Sequence, residues 1–187
     1  MCVHISLTEK LPVIEDHYQV QRNPQLEIED ADLFNYHLNG YSHPEAFIIP
    51  EQESTVINPA IWGIMPHDQT GSKQNDYYKK VNRKGGGLNA RSEKLFDHFI
   101  YKYSAFEKRC VVPITAFFEP HEYRGTKYPI LFKNSKEKFL SVAGIYSITK
   151  DGFISFSLLT KKGSPFFAKI HNTTAEPKQL ILLNYIL

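Results

Sequence analysis

The sequence predicts an α+β fold: one mixed domain, built mainly from antiparallel β-sheet, with a few helices on its flanks. Three observations predict it. Short runs rich in β-branched and aromatic residues recur along the chain and are cut by Pro, Gly and polar turns. In one of them Phe153, Ser155 and Ser157 alternate with Ile154, Phe156 and Leu158, the period of two that a sheet requires. Only residues 92–106 carry a long helical period.

Taken in order, residues 30–38 have the spacing of a short helix. Strands are expected at 46–49, stopped by Pro50, and at 60–65, stopped by Pro66. Residues 66–87 are polar and glycine-containing and read as a long loop, the kind of segment that often carries a binding surface. Ser92 caps the helix in which Leu95, Phe96, Phe99, Tyr103 and Phe106 fall on one face. Further strands follow at 110–118, 128–132, 139–148 and 153–160, with Lys150-Asp151-Gly152 turning the last pair into a hairpin. Ser164-Pro165 starts a second short helix through Ile170, with Pro at its first turn. Residues 180–187 read as a buried strand or helix, and their apolar end is taken as a sign that further chain follows.

With 187 residues, the chain is expected to form a single domain over 1–187. Hydrophobic residues at 42% and aromatic residues at 13% exclude general disorder. No run approaches the length of a membrane span, and no basic segment leads into an apolar one at the start, so a cytoplasmic, membrane-free setting is expected. Cys2 and Cys110 are the only cysteines, which fits reduced thiols better than a disulfide framework. A net charge of +2 permits nucleic-acid binding without demanding it. The histidines are scattered, no Cys-x-x-Cys occurs, and His121-Glu122 lacks the second His of a zinc-protease helix. No metal and no cofactor are expected.

Position 2 carries the distinctive chemistry. Removal of Met1 leaves Cys2 with its thiol and its α-amine on adjacent carbons, an aminothiol that an internal cysteine cannot offer. The amine titrates at about 7.7–8.0 and the thiol near 8.5 in the absence of neighbours. An aldehyde meeting the pair forms an imine with the amine, and the thiol closes it to a five-membered thiazolidine. Position 2 is otherwise an accident of sequence. Asn89-Ala90-Arg91-Ser92-Glu93 brings an amide, a guanidinium and a carboxylate together at a loop-to-helix junction, suited to a sugar oxygen and a phosphate, or simply to a polar surface. Glu119 ends an apolar strand, where poor solvation makes a carboxyl a general acid or base unless it turns out to solvent. Gly85-Gly86-Gly87 after Arg83-Lys84 fits no nucleotide-binding spacing; it reads as a flexible approach that touches a nucleic-acid backbone at most.

Six segments together resemble the SRAP family, the SOS response-associated peptidases or abasic-site processing proteins. They are Cys2, Trp62-Gly63, Asn89 to Glu93, Arg109-Cys110-x-x-Pro113 running to Phe118-Glu119, Ala143-Gly144-Ile145, and Ile170-His171. The resemblance covers nearly the whole chain. It implies a barrel-like curled sheet with flanking helices and a basic groove. It also implies a monomer that binds single-stranded DNA containing abasic sites during the DNA damage response, associated with the nucleoid through DNA, and that crosslinks covalently to the lesion, with lyase and autopeptidase (Met1-removing) character. By carry-over, Cys2 is the nucleophile, Asn89 holds the opened sugar, Glu119 manages protons and His171 acts as acid/base on the sugar hydroxyl. Arg91, with Trp62, His4, Arg83 and Lys84, forms the DNA-binding set.

The chain departs from the family pattern in three places. Val3-His4 stands for the usual Gly-Arg, Pro120 for Trp, and Asn172 to Pro177 for an Arg-Met-Pro run. Two other readings remain open: an N-terminal-nucleophile cysteine amidohydrolase of the glutaminase kind, and a nucleic-acid-binding module without catalysis.

Overall fold

The structure is a computed structural model that describes residues 2–26, 28, 35–172 and 177–183. Five strands form a closed barrel: β4 (Glu45–Pro50), β5 (Val56–Trp62), β7 (Arg109–Ile114), β10 (Leu140–Ile148) and β11 (Ile154–Lys162). Neighbours run antiparallel in the order β5-β4-β7-β10-β11, and β11 returns to β5 through parallel pairs Ser155–Ile61 and Phe156–Trp62. That last pairing removes the open edges of the sheet. The α+β class and the barrel-like core agree with the sequence expectation.

A second, four-stranded antiparallel sheet packs against the barrel. Its order is β3 (Asn35–Asn39), β1 (His4–Leu7), β8 (Ala116–Tyr123), β9 (Thr126–Phe132). The apolar stretch 110–118, expected as one strand, is two. The chain leaves the barrel at Thr115, whose backbone N–H and hydroxyl both donate to the carbonyl of Ser6, at 2.8 and 3.0 Å. Beyond that residue β8 pairs with β1 (Ile5–Phe117). The main core lies where barrel and sheet meet, and holds Ile5, Ile48, Trp62, Val112, Phe117 and Phe156. A second cluster seats α1 (Leu11–Tyr18) through Leu11 and Ile14 against Phe47, Ile57 and Phe139.

Four further expectations need correction. Residues 35–39 are strand β3, because they pair with β1; residues 30–34 lie outside the described residues. The stretch 66–87 is not one loop: it contains α2 (Gln74–Val81), whose Tyr78 is buried and donates its hydroxyl to Gly63 O at 2.6 Å. The β5 strand starts earlier and stops at Trp62, since Gly63 turns with φ +132° and leaves no room for a side chain beside His43.

The fourth concerns residues 92–106. Only α3 (Lys102–Glu107) is α-helical there, preceded by a 3₁₀ turn at Ser92–Lys94. Leu95 and Ala105 pack into a small cluster with Ile64, Ala90 and Ile145, while Phe96, Phe99 and Phe106 remain exposed. The carboxylate of Glu93 accepts the backbone N–H of Lys162 at 2.7 Å, tying the turn to the end of β11 and setting its direction. Side-chain spacing foresaw an apolar face; tertiary anchoring aimed it outward.

At the other end, α4 (Pro165–Ile170) forms as expected, with Ser164 Oγ accepting from Phe167 N. Of residues 180–187, expected as a buried strand or helix, Leu180 ends β12 (Lys178–Leu180), which pairs with β11, and Leu182 bridges to Val142; residues 184–187 lie outside the described residues. Among the described residues, no helix is long and apolar enough to cross a membrane.

Candidate active site

Cys2 lies two residues before the start of β1 and is buried in the main core. Its Sγ lies 3.7 Å from the carbonyl oxygen of His4. Burial pushes the thiol well above the ordinary cysteine range, and the negative charge of Glu119 pushes the same way. The carbonyl of Cys2 accepts a hydrogen bond from Asn89 Nδ2 at 2.7 Å.

Asn89 opens β6 (Asn89–Arg91), which runs parallel to β11 with Asn89 opposite Leu158. The approach to this strand is tight. Trp62 Nε1 and Leu158 N both donate to Leu88 O, at 2.9 and 3.0 Å. Gly87, at φ +68°, brings its backbone against Ile64, where a Cβ would meet Ile64 O at 2.8 Å. Gly87 therefore allows the close backbone approach that delivers Asn89 to Cys2. The Oδ1 of Asn89 is buried and has no hydrogen-bond partner among the described residues.

Glu119 shares the inner face of β8 with Phe117, two residues away, and is fully buried. Burial raises its pKa, opposed by the hydrogen bond and charge of His171. The Nδ1 of His171 lies 2.9 Å from Glu119 Oε2, with both side chains out of solvent. His171 follows α4, which is held on the second sheet by a stack of rings: Phe167 on Phe132, centroids 4.9 Å apart, and Phe132 on Phe117, 4.9 Å. Two neighbours brace the turn. His121 Nδ1–H donates to Ile170 O at 2.7 Å, and the Asn172 amide exchanges two hydrogen bonds with the backbone of Glu122, at 2.9 and 2.8 Å.

Beside Asn89 a cleft of about 220 Å³ opens. Arg91, Lys84, Lys94 and Lys178 line it, together with His98 and Tyr101. The carboxylate of Glu93 stands 4.0 Å from Arg91 Nε, and its pKa is held below the ordinary range by backbone N–H donors, its own and that of Lys162. The cleft is thus cationic and concave, with one wall ending at the amide that touches Cys2.

Cys2, Asn89, Glu119 and His171, scattered over nearly the whole sequence, come together here, and Arg91 and Lys84 lie alongside. The expected DNA contact at Trp62 is corrected: its ring is fully buried, since even-numbered residues of β5 face the barrel interior and its indole N–H is consumed by Leu88 O. His4 turns to His37, with Nδ1 and Nε2 of the two rings 2.9 Å apart, and Arg83 is exposed but does not line the cleft. Sequence reasoning missed Lys94, His98, Tyr101 and Lys178. Only Lys94, close after Arg91, carried a local signal. Among the described residues no group of three or more His, Cys, Asp or Glu side chains is placed to hold a metal ion.

Comparison with known proteins bears on the family and the fold. The abasic site processing protein YobE of Bacillus subtilis is 26% identical over 159 residues, covering 78% of this chain and 68% of that protein. The abasic site processing protein YoqW of the same organism is 25% identical, covering 78% and 67%. A crystal structure of a protein from Bacteroides thetaiotaomicron superposes with a TM-score of 0.79 at 25% identity, over 97% of this chain and 77% of that one. A protein from Bordetella bronchiseptica shares the fold, with a TM-score of 0.74 at 18% identity over 97% and 83%. The family model described as SOS response associated peptidase (SRAP) matches residues 1–176, and the chain belongs to that family.

Proposed function

We propose that this protein processes abasic sites in single-stranded DNA by coupling Cys2, freed of Met1, to the aldehyde of the opened sugar. One observation carries the reading: Asn89, Glu119 and His171 converge on Cys2 at the end of a cationic cleft. Aldehydes of this kind are what a 1,2-aminothiol captures most durably. The abasic-site names of the Bacillus relatives point the same way.

The steps follow from the groups present. The α-amine of Cys2 adds to the C1′ aldehyde, giving a carbinolamine that loses water to an imine. The thiol then adds to the imine carbon, its proton passing to nitrogen, so that aminothiol and aldehyde become thiazolidine and water. A carboxyl whose pKa is raised by burial suits the proton traffic of dehydration, and Glu119 occupies that place. His171, bonded to Glu119, serves the sugar hydroxyl during ring opening. The buried Oδ1 of Asn89 is the acceptor for a sugar hydroxyl, and Arg91 pairs with phosphate. The same groups are the candidates for adding water across the Met1–Cys2 peptide bond, and reversal through the imine accounts for lyase character.

The test is a denaturing gel. Protein lacking Met1 is incubated with a single-stranded oligonucleotide carrying one abasic site, and a heat-stable shifted band is expected that Cys2→Ala abolishes. An undiminished band with Cys2→Ala overturns the proposal, as does the absence of any band with wild type. Glutamine hydrolysis without crosslinking would assign the site to an amidohydrolase instead.

A further inference from the structure

Phe99 is the most exposed of the large apolar side chains in the described residues, at 83% of its full accessible surface. It does not stand alone. Its ring stacks on His98, centroids 5.1 Å apart and planes within 16°. His98 in turn stacks on Tyr101, at 4.6 Å and 27°. Tyr101 is anchored at the candidate site, its hydroxyl donating to the carbonyl of Asn89 at 3.3 Å. The His98 ring is fixed by the backbone N–H of Ile100, which donates to Nδ1 at 3.3 Å. Three near-parallel rings therefore lead outward from Asn89, and the last presents its outer face to solvent.

The charge beside this ladder selects its occupant. His98 and Tyr101 line the cleft that also holds Lys84, Arg91, Lys94 and Lys178. The carboxylates on the same segment are Glu93, engaged by the Lys162 N–H, and Asp97. A flat apolar ring beside a cationic groove fits a chain that alternates flat bases with phosphates. A protein partner with an apolar patch would gain nothing from the lysines, and core packing is ruled out by the exposure.

We propose that Phe99 is a base-stacking platform that seats an unpaired nucleobase next to the abasic nucleotide, while the cleft holds the intervening phosphates. The inference rests on the DNA reading above and adds a subsite to it. Stacking of a base on an aromatic ring is sequence-tolerant, because every base has a π-face. The platform holds the strand for capture of whatever lesion it carries and reads no sequence.

The test uses a fluorescently labelled oligo-dT without an abasic site, titrated with the full chain. Phe99→Ala is expected to weaken binding about tenfold, the usual range for one stacked base. Phe99→Trp is expected to keep the affinity, and its emission to be quenched by DNA, since the chain's single native tryptophan, Trp62, is buried. Wild-type affinity in Phe99→Ala overturns the platform. So does a Phe99→Leu variant that binds as tightly as Phe99→Trp, which would make the contact apolar bulk without stacking. A wild-type dimer that Phe99→Ala dissolves without changing DNA affinity also overturns it and makes the patch a self-association face. Crosslinking of wild type to abasic DNA separates the two levels: if it persists while Phe99→Ala binds normally, only the platform falls, whereas loss of both binding and crosslinking in wild type removes the function with it.

Discussion

The side-chain amide of Asn89 donates from Nδ2 to the main-chain carbonyl of Cys2 at 2.7 Å, joining strand β6 to the start of the chain. The bond fixes the backbone from which thiol and α-amine both project, so Asn89 acts before any ligand arrives. Asn89→Ala leaves the Cys2 carbonyl without this donor and costs about 1–2 kcal/mol of stability. Crosslinking slows by more than the fall in folded fraction explains, because the aminothiol loses its orientation. Urea unfolding alongside single-turnover crosslinking on a gel separates the two effects. Equal rates for folded wild type and folded variant would remove Asn89 from the chemistry.

Glu119 sets a pH dependence whose sign follows from its burial. Its pKa is raised above the ordinary 4.5 of a glutamate by desolvation. Between 4.5 and the raised value the native state holds a proton that the unfolded chain has released. Stability from this group is therefore complete below the unfolded pKa and is lost as pH rises through the folded one. Glu119→Gln abolishes the titration, so its stability relative to wild type increases with pH across that window. Denaturant midpoints at about pH 4 and near neutrality measure the change. A constant difference would mean that the carboxyl ionises alike in both states.

Both thiols are buried and both are pushed far above the ordinary cysteine range by that burial. In the chain that retains Met1, neither Cys2 nor Cys110 is expected to react with Ellman's reagent at neutral pH within minutes. Denaturant then exposes two equivalents, one for each cysteine of the chain. Rapid labelling of Cys2 in the native, Met1-retaining chain would contradict the observed burial.

Trp62 gives the opposite forecast to the one its position in the motif invites. Trp62→Phe empties part of the main core and removes the indole donor to Leu88 O, while Leu158 N still bonds that oxygen. A loss of about 1–3 kcal/mol is expected in a denaturant series. Affinity for single-stranded DNA, measured on the folded protein, should stay unchanged, since the ring has no exposed surface. A selective loss of DNA affinity would restore Trp62 to the interface.

Lys94 and Lys178 line the cleft from the middle and the end of the sequence. Replacing either with Gln should reduce the slope of log affinity against log salt by about 0.7, the contribution of one phosphate contact on a single strand. The same change at Lys10, which lies on the α1 side of the molecule, should leave the slope as it was. Indistinguishable slopes for Lys94→Gln and wild type would place the phosphates elsewhere.

Local signals fixed a good part of this protein. Alternation located the hairpin of β10 and β11, Ser164-Pro165 marked the start of α4, and the order of Cys2, Asn89 to Glu93, Phe118-Glu119 and His171 identified the family. Each depends on residues that are neighbours in the chain, or on motifs whose order the chain preserves. Other features escaped because their causes are remote. Thr115 splits one apolar run between two sheets by bonding Ser6, and Glu93 turns an apolar face outward by bonding Lys162. Trp62 is silenced as a surface ring by the barrel closing through β5 and β11. The sequence alone determined which chemical groups the site would contain. Only the tertiary structure decided which of them meet, because hydrogen bonds and burial act over ångströms while these residues lie tens of positions apart, and it alone brought Lys178, His98 and Tyr101 to the cleft beside Asn89.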